Sequence, residues 1–334
     1  MAVKLKDVAE HAGVGYGTAS RALANGSKVS VQARERVLRS AQILGYRRNT
    51  VAGLLGARRK ASEKKLKVSY IGEAGSTERL IHNRCHLSGL QYEHIHPGRF
   101  SQPHSLLRTL KNRGTDGLIV DFRNFPWTEA STREADWSDF AVLKIGRIFP
   151  SLPFDLIRHS AFDYMRTALF HIRAAGARRV AVLLSESGVP EDDEARLAAL
   201  LLARARWRSL GIRIFCREWR AEKLKIADKD CLKWLQTQKP DVILGLSWAL
   251  LFPLLEAGWR IPEETGFASI LLSSTAPRHS PLPLVSGCQT QEKEMVRRAV
   301  GLLLDKLGRG DVGFPESQVE HVVEPAWFEG DTLR

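Results

Sequence analysis

The chain has 334 residues, 44% of them hydrophobic, and a formal net charge of +13 at pH 7. That length and apolar fraction suffice for two or three domains with cores of their own. No apolar run reaches 18 residues, which sets aside a membrane-spanning helix. The excess charge is concentrated: residues 1–65 hold 14 Lys and Arg against 4 Asp and Glu, while the other 269 hold 36 against 33. A basic excess on a segment patterned to fold points to nucleic-acid phosphate. Cys85, Cys216, Cys231 and Cys288 form no C-x-x-C pair and no zinc spacing. They read as isolated thiols in a reducing cytosol. No secretory signal precedes Lys4, so we expect a cytoplasmic chain rather than a secreted solute-binding protein.

In chain order, Val8, Ala9 and Ala12 stand at helical spacing and Gly13 follows where a helix stops. Ala19 and Leu23, four apart, begin a second pattern after a loop too short for anything but two helices at a steep angle. This spacing predicts a helix-turn-helix whose second helix turns Tyr16, Thr18, Ser20 and Arg21 away from the core. Asn25-Gly26 is a turn pair. Ser30 reads as the N-cap of a third helix lined by Val37, Ala41 and Leu44, with Gly45 as its C′ residue. Three helices in about 45 residues make a marginal core.

The string Asp7 to Arg21, then Ser30 to Val37, then Gly45, Tyr46, Asn49, Ala52 and Leu55 resembles the headpiece of the LacI/GalR family of bacterial transcription regulators. The resemblance implies a DNA-binding set of Tyr16, Gly17, Thr18, Ser20, Arg21, Asn25, Asn49, Ala52 and Leu55. Gly17 departs from it, because family members carry a side chain there. It also implies that residues 50–60 form a hinge helix in the minor groove, with Leu55 wedged into the central base step. Gly53 and Gly56 each weaken such a helix by about 1 kcal/mol relative to Ala. The implied function is a sequence-specific repressor on a palindromic operator, working as a homodimer.

From Leu66 short apolar runs alternate with helical stretches. Strands are predicted at 67–71, 90–95, 117–120, 141–145, 179–184, 213–215, 241–246 and 265–271. Helices are predicted at 102–112, 163–175, 192–210, 229–237, 248–257 and 291–307, with a short one near 77–87. Such alternation means parallel sheets with covering helices, and the run is long enough for two doubly wound units. Together with the resemblance, the predicted fold is an all-α headpiece (1–49), a hinge and linker (50–65) and an α/β effector domain (66–334). That domain would have two doubly wound parallel-sheet subdomains like type I periplasmic binding proteins. Their bounds would be about 66–155 with 285–316, and about 156–284 with 317–330.

The family's ligand pocket is where the sequence departs most. Arg196 stands where many members carry a ligand-binding arginine. Ser247 and Trp248 occupy the place of an Asn-Asp pair, no carboxylate lies between Gly266 and Ser274, and HSAFD (159–163) replaces the usual Asp. These residues, Arg196, Ser247 and Trp248, are the candidate ligand set for a sugar or sugar phosphate, or for sensing that has been lost. Tyr70, Trp127, Trp137, Phe162, Trp219 and Trp248 read as core aromatics before they read as a stacking pocket. His82 with His86, and His94 with His96, lack a third ligand, so no metal site is assigned. Nor does a phosphate loop or dinucleotide fingerprint call for a cofactor. Gly245-Leu246-Ser247-Trp248-Ala249 sits in the strand-to-helix context of a hydrolase nucleophile elbow. The last glycine of that motif is Ala, and its partners, Asp305 or Asp311 with His321, are distant. The reading is therefore not an enzyme; the alternative is a small-molecule-binding or hydrolase-like domain using Ser247.

Overall fold

The computed structural model describes residues 5–23, 29–44, 46, 66–121, 127–146, 152–185, 189–207, 211–217, 229–273, 276 and 283–333. Asn25, Gly45, Asn49, the predicted hinge with Ala52 and Leu55, and Trp219 lie outside them.

The N-terminal segment folds as α1 (Leu5–His11), α2 (Tyr16–Leu23) and α3 (Val31–Ile43) around Val8, Ala9, Ala12, Ala19, Ala22, Val37 and Ala41. Five of these seven are alanines, so the helices approach closely. Gly13, at φ +63°, closes α1. Its amide donates to Glu10 O at 3.1 Å and the next amide, of Val14, donates to Ala9 O at 3.0 Å. This is a Schellman turn, which needs a left-handed residue that Gly supplies without a Cβ penalty. At the start of α3 Ser30 Oγ accepts from Ala33 N at 3.4 Å, as an N-cap should. One contact was not expected: buried Ser40 of α3 bonds His11 Nδ1 of α1 at 3.0 Å, a polar link across a very small core.

Beyond residue 66 the chain builds two six-stranded sheets. The first has the order β11-β5-β4-β3-β1-β2, from β1 (Lys67–Ile71), β2 (Gln91–Ile95), β3 (Gly117–Val120), β4 (Ala141–Ile145), β5 (Leu156–His159) and β11 (Glu320–Val323). The pairs β1–β2, β1–β3, β3–β4 and β4–β5 are parallel. Its helices are α4 (Ser76–Leu87), α5 (Pro103–Asn112), α6 (Glu129–Glu134) and α11 (Glu292–Arg309). On one side Leu106, Leu107 and Leu110 of α5 pack with Ile71, Leu118, Val120, Val142, Trp127 and Trp137. Leu303 of α11 lies over Gly117, where a Cβ would come within 3.2 Å of it.

The second sheet has the order β12-β10-β9-β8-β6-β7, from β6 (Arg179–Ser185), β7 (Gly211–Arg217), β8 (Val242–Ser247), β9 (Gly266–Leu272), β10 (Ser286–Gln289) and β12 (Ala326–Phe328). The pairing is parallel except that β12 runs antiparallel to β10. Alternation sends Val180, Val182 and Leu184 to one face and Ala181 and Leu183 to the other. The first face is covered by α7 (Ala161–Ala174) and α8 (Pro190–Arg206). The second is covered by α9 (Lys229–Gln238) and α10 (Leu251–Glu256).

The chain separates into two compact units, 1–157 with 296–321 and 158–295 with 322–334. It crosses between them within β5, within α11 and within β11. The eight predicted strands and all the predicted helices appear, with ends moved by up to four residues. The strands β5, β10, β11 and β12 and the helix α6 were not predicted.

Candidate nucleic-acid interface and small-molecule site

Tyr16, Gly17, Ser20 and Arg21 share one side of α2, opposite the buried Ala19 and Ala22. Tyr16 is 61% exposed, Gly17 and Arg21 are exposed, and Ser20 is half-buried. Thr18 is half-buried at the edge of this row. The helix starts on Gly15, whose carbonyl accepts from Thr18 N at 2.9 Å and Ala19 N at 3.0 Å. Arg21 Nε donates to Gly17 O at 3.0 Å, so the guanidinium rests over the place where Gly17 has no side chain. A Cβ at Gly17 would come only to 3.8 Å of Arg21 Nη2, an ordinary contact. We therefore expect Gly17→Ala to stabilise α2 by about 0.5–1 kcal/mol, the helical cost of glycine relative to alanine. Amide exchange across residues 18–23 of the full chain should slow correspondingly. Unchanged or faster exchange would mean that α2 is held by something other than its own propensity.

In the second unit the strand order reverses between β6 and β8: β7 lies on one side of β6 and β8 on the other. Ligands of doubly wound sheets sit outside the carboxyl ends of the strands at such a switch. Ser247 and Trp248 stand there, at the end of β8. Ser247 Oγ accepts from Ala249 N at 3.3 Å and caps a 3₁₀ turn, Trp248–Leu250. Trp248 Nε1 donates to Ser273 Oγ at 3.0 Å, which ties the end of β8 to the end of β9. Arg196 lies in α8, the helix that follows β6; it is 5% exposed, with Nη1 2.6 Å from Asp193 Oδ1. Its Nε is buried with no hydrogen-bond partner among the described residues. Among the described residues no hydrogen bond or ion pair joins Arg196 to Ser247 or Trp248. The first sheet has its own switch, between β1 and β3, and Asp121 is buried just past the end of β3.

Sequence reasoning passed over Asp121 and took His159 only as a missing aspartate. His159 ends β5 with its ring 5.2 Å from that of Tyr164, and its Nε2 is buried with no hydrogen-bond partner among the described residues. Burial pushes its pKa below the ordinary histidine value, against smaller opposing effects of a backbone bond at Thr290 and the charge of Glu292. The signal in the sequence was a histidine at the end of a short half-apolar run, too common a pattern to weigh.

Ser247 has φ −122° and ψ 146°, extended backbone without strain, and its hydroxyl caps a turn. A nucleophile elbow is a strained turn that exposes the hydroxyl to a base. Asp305 and Asp311 both pair with Arg309. Tyr70, Trp127 and Trp137 are buried, and both indoles donate to backbone carbonyls, of Phe100 and Thr132. His94 Nε2 bonds Gly72 O at 2.8 Å and His96 Nε2 lies 3.1 Å from Glu73. His82 packs on the Tyr92 ring. No group of three metal-ligating side chains occurs among the described residues. Cys85, Cys231 and Cys288 are buried free thiols, and burial raises Cys85 and Cys288 to about 12. No described helix is long and apolar enough to cross a membrane.

With this geometry in place, residues 4–49 match the model of the bacterial regulatory proteins of the lacI family. The headpiece is a LacI-family DNA-binding domain. No curated protein sequence matches the chain. Solved structures share the fold over its length. The transcriptional regulator CelR with cellobiose is 19% identical, covers 99% of both chains and has a TM-score of 0.56. The lac repressor dimer bound to operator and the anti-inducer ONPF is 19% identical over 99% of both chains, with a TM-score of 0.57. A LacI-family transcriptional regulator from Silicibacter pomeroyi is 21% identical over 99% of both, also with a TM-score of 0.57. The part beyond the LacI-family headpiece therefore has the fold of the effector domains of such regulators, as the sequence predicted.

Proposed function

We propose that this chain is a sequence-specific transcription regulator, a repressor that binds a palindromic operator as a homodimer in the cytoplasm. The observation that carries the reading is the outward row of exposed Tyr16, Gly17 and Arg21 with half-buried Ser20 on the second helix of the LacI-type headpiece. A helix so presented fits the major groove with its N-terminal residues against base edges. Residues 1–49 are the headpiece, 50–65 the hinge and 66–334 the effector and dimerisation domain. Thr18, Asn25, Asn49, Ala52 and Leu55 complete the DNA-binding set, with Leu55 as the minor-groove wedge. The operator-bound lac repressor dimer and the cellobiose complex of CelR, on the same fold, support a dimer on DNA and a carbohydrate-type effector. Here the effector is a sugar or sugar phosphate held at the carboxyl ends of β6 and β8 by Arg196, Ser247 and Trp248.

Removing residues 1–65 tests the core of this reading. A duplex selected from a random pool with the full chain should not bind residues 66–334, while circular dichroism of the shortened protein keeps its α/β signature. Specific binding retained by 66–334 would place DNA recognition outside the headpiece and end the proposal.

A further inference from the structure

The two helices on the first face of the second sheet carry an apolar outer surface. Leu200, Ala199 and Ala203 of α8 turn inward and pack on the sheet side. On the outer side Leu197 is 44% exposed, Leu201 52%, Leu202 42%, and Phe170 of the adjacent α7 57%. Ala198 and Ala205 are exposed with them. An open groove of about 290 Å³ runs between the helices, with Phe170, Leu202 and Trp207 among its walls and Arg166 and Arg206 on its rim. Single exposed leucines need no explanation, but a contiguous apolar patch with a charged rim marks an interaction surface.

The order of residues along α8 says what fits there. Glu194, Leu197, Leu201 and Arg204 are all exposed and stand at spacings of three, four and three. That is the spacing of a two-helix seam, apolar at its centre. The row is also complementary to its own reverse. Turning it about Ala199 exchanges Leu197 with Leu201 and Glu194 with Arg204. Among the described residues neither Glu194 nor Arg204 makes an ion pair within the chain. The wider helix repeats the asymmetry, with Glu191, Asp192 and Asp193 in its first turn and Arg204 and Arg206 in its last. An evenly acidic helix would be repelled at one end and an evenly basic one at the other. A second copy laid antiparallel meets opposite charge at both ends, and a two-fold contact requires such a self-complementary patch.

We propose that α8 joins two copies of this chain in an antiparallel contact about a two-fold axis at Ala199. Leu197 of each copy packs on the partner's Leu201, and Glu194 faces the partner's Arg204. Phe170 and Leu202 border the seam and widen it. The contact is independent of the operator-binding pair proposed above and adds one doubling of mass, which is read without DNA.

Sedimentation velocity of the full chain tests it. The wild-type protein should have twice the mass of the Leu197→Glu/Leu201→Glu variant, with unchanged circular dichroism because both side chains are exposed. Glu194→Arg alone should also halve the mass, and Glu194→Arg with Arg204→Glu should restore it. Equal masses for the wild-type and the leucine variant overturn the proposal, including a case in which the patch captures a different protein. A charge-exchanged double variant that stays at half mass overturns the antiparallel register.

Discussion

Replacing Lys306 with methionine is expected to destabilise the first unit by about 2–4 kcal/mol, toward the cost of leaving a largely buried carboxylate without its counter-charge. Lys306 of α11 is buried, and its Nζ lies 2.5 Å from Asp155 Oδ2. The other carboxylate oxygen accepts from Val319 N at 2.9 Å. The backbone carbonyl of Asp155 accepts from Lys144 N, also at 2.9 Å. One residue thus ties α11, the chain entering β5 and the chain entering β11, three segments far apart in sequence. Methionine keeps most of the apolar stem, so the loss reports the charge rather than the packing. Adding Asp155→Asn should return most of the stability, since a buried pair is often worth little against a neutral substitute. Urea unfolding of the full chain, followed by circular dichroism, reads both variants. A loss under about 1 kcal/mol for Lys306→Met would mean that Asp155 is solvated once unpaired.

The second large effect is on DNA. Arg21→Ala should weaken binding to the selected operator by about 1–3 kcal/mol, roughly tenfold to a hundredfold, and relax the preference at one position in each half-site. In the free chain the guanidinium rests on Gly17 O at 3.0 Å, on the exposed face of α2. An exposed hydrogen bond of this kind is worth only about 0.5–1.5 kcal/mol net. A bidentate guanine contact exceeds it, so Arg21 can leave its resting place. Binding-site selection with the variant separates the two ways in which it could matter. Loss confined to one base position identifies base readout. An equal loss on every duplex, with a smaller salt dependence, would identify a phosphate contact and refute the assignment.

Local chemistry made much of the molecule legible. Gly13 and Ser30 appear as the helix stop and helix start that their residue types announce, because a left-handed backbone position and an orphan amide are demands of the local chain alone. Predicted strands such as 117–120 and 241–246 are nearly continuous apolar runs, and a strand buried on both faces of a parallel sheet must be one. The outward row of α2 followed from the spacing of Ala19 and Leu23, and the structure buries Ala19 and Ala22 on the opposite side.

What the sequence determined by itself was therefore the headpiece, the alternation of strands and helices, and the family that both resemble. These depend on neighbours three or four residues away. The tertiary structure alone decided the strands β5, β10, β11 and β12, which are three or four residues long and whose partners lie far along the chain or across a crossing. It decided that Lys306 is buried on Asp155, although lysine reads as a surface residue in any local window. Among the described residues it left the buried His159 Nε2 without a hydrogen-bond partner. Each of these depends on which distant group arrives beside a side chain. Periodicity carries no information on that, because burial of a polar atom is a property of the assembled layers.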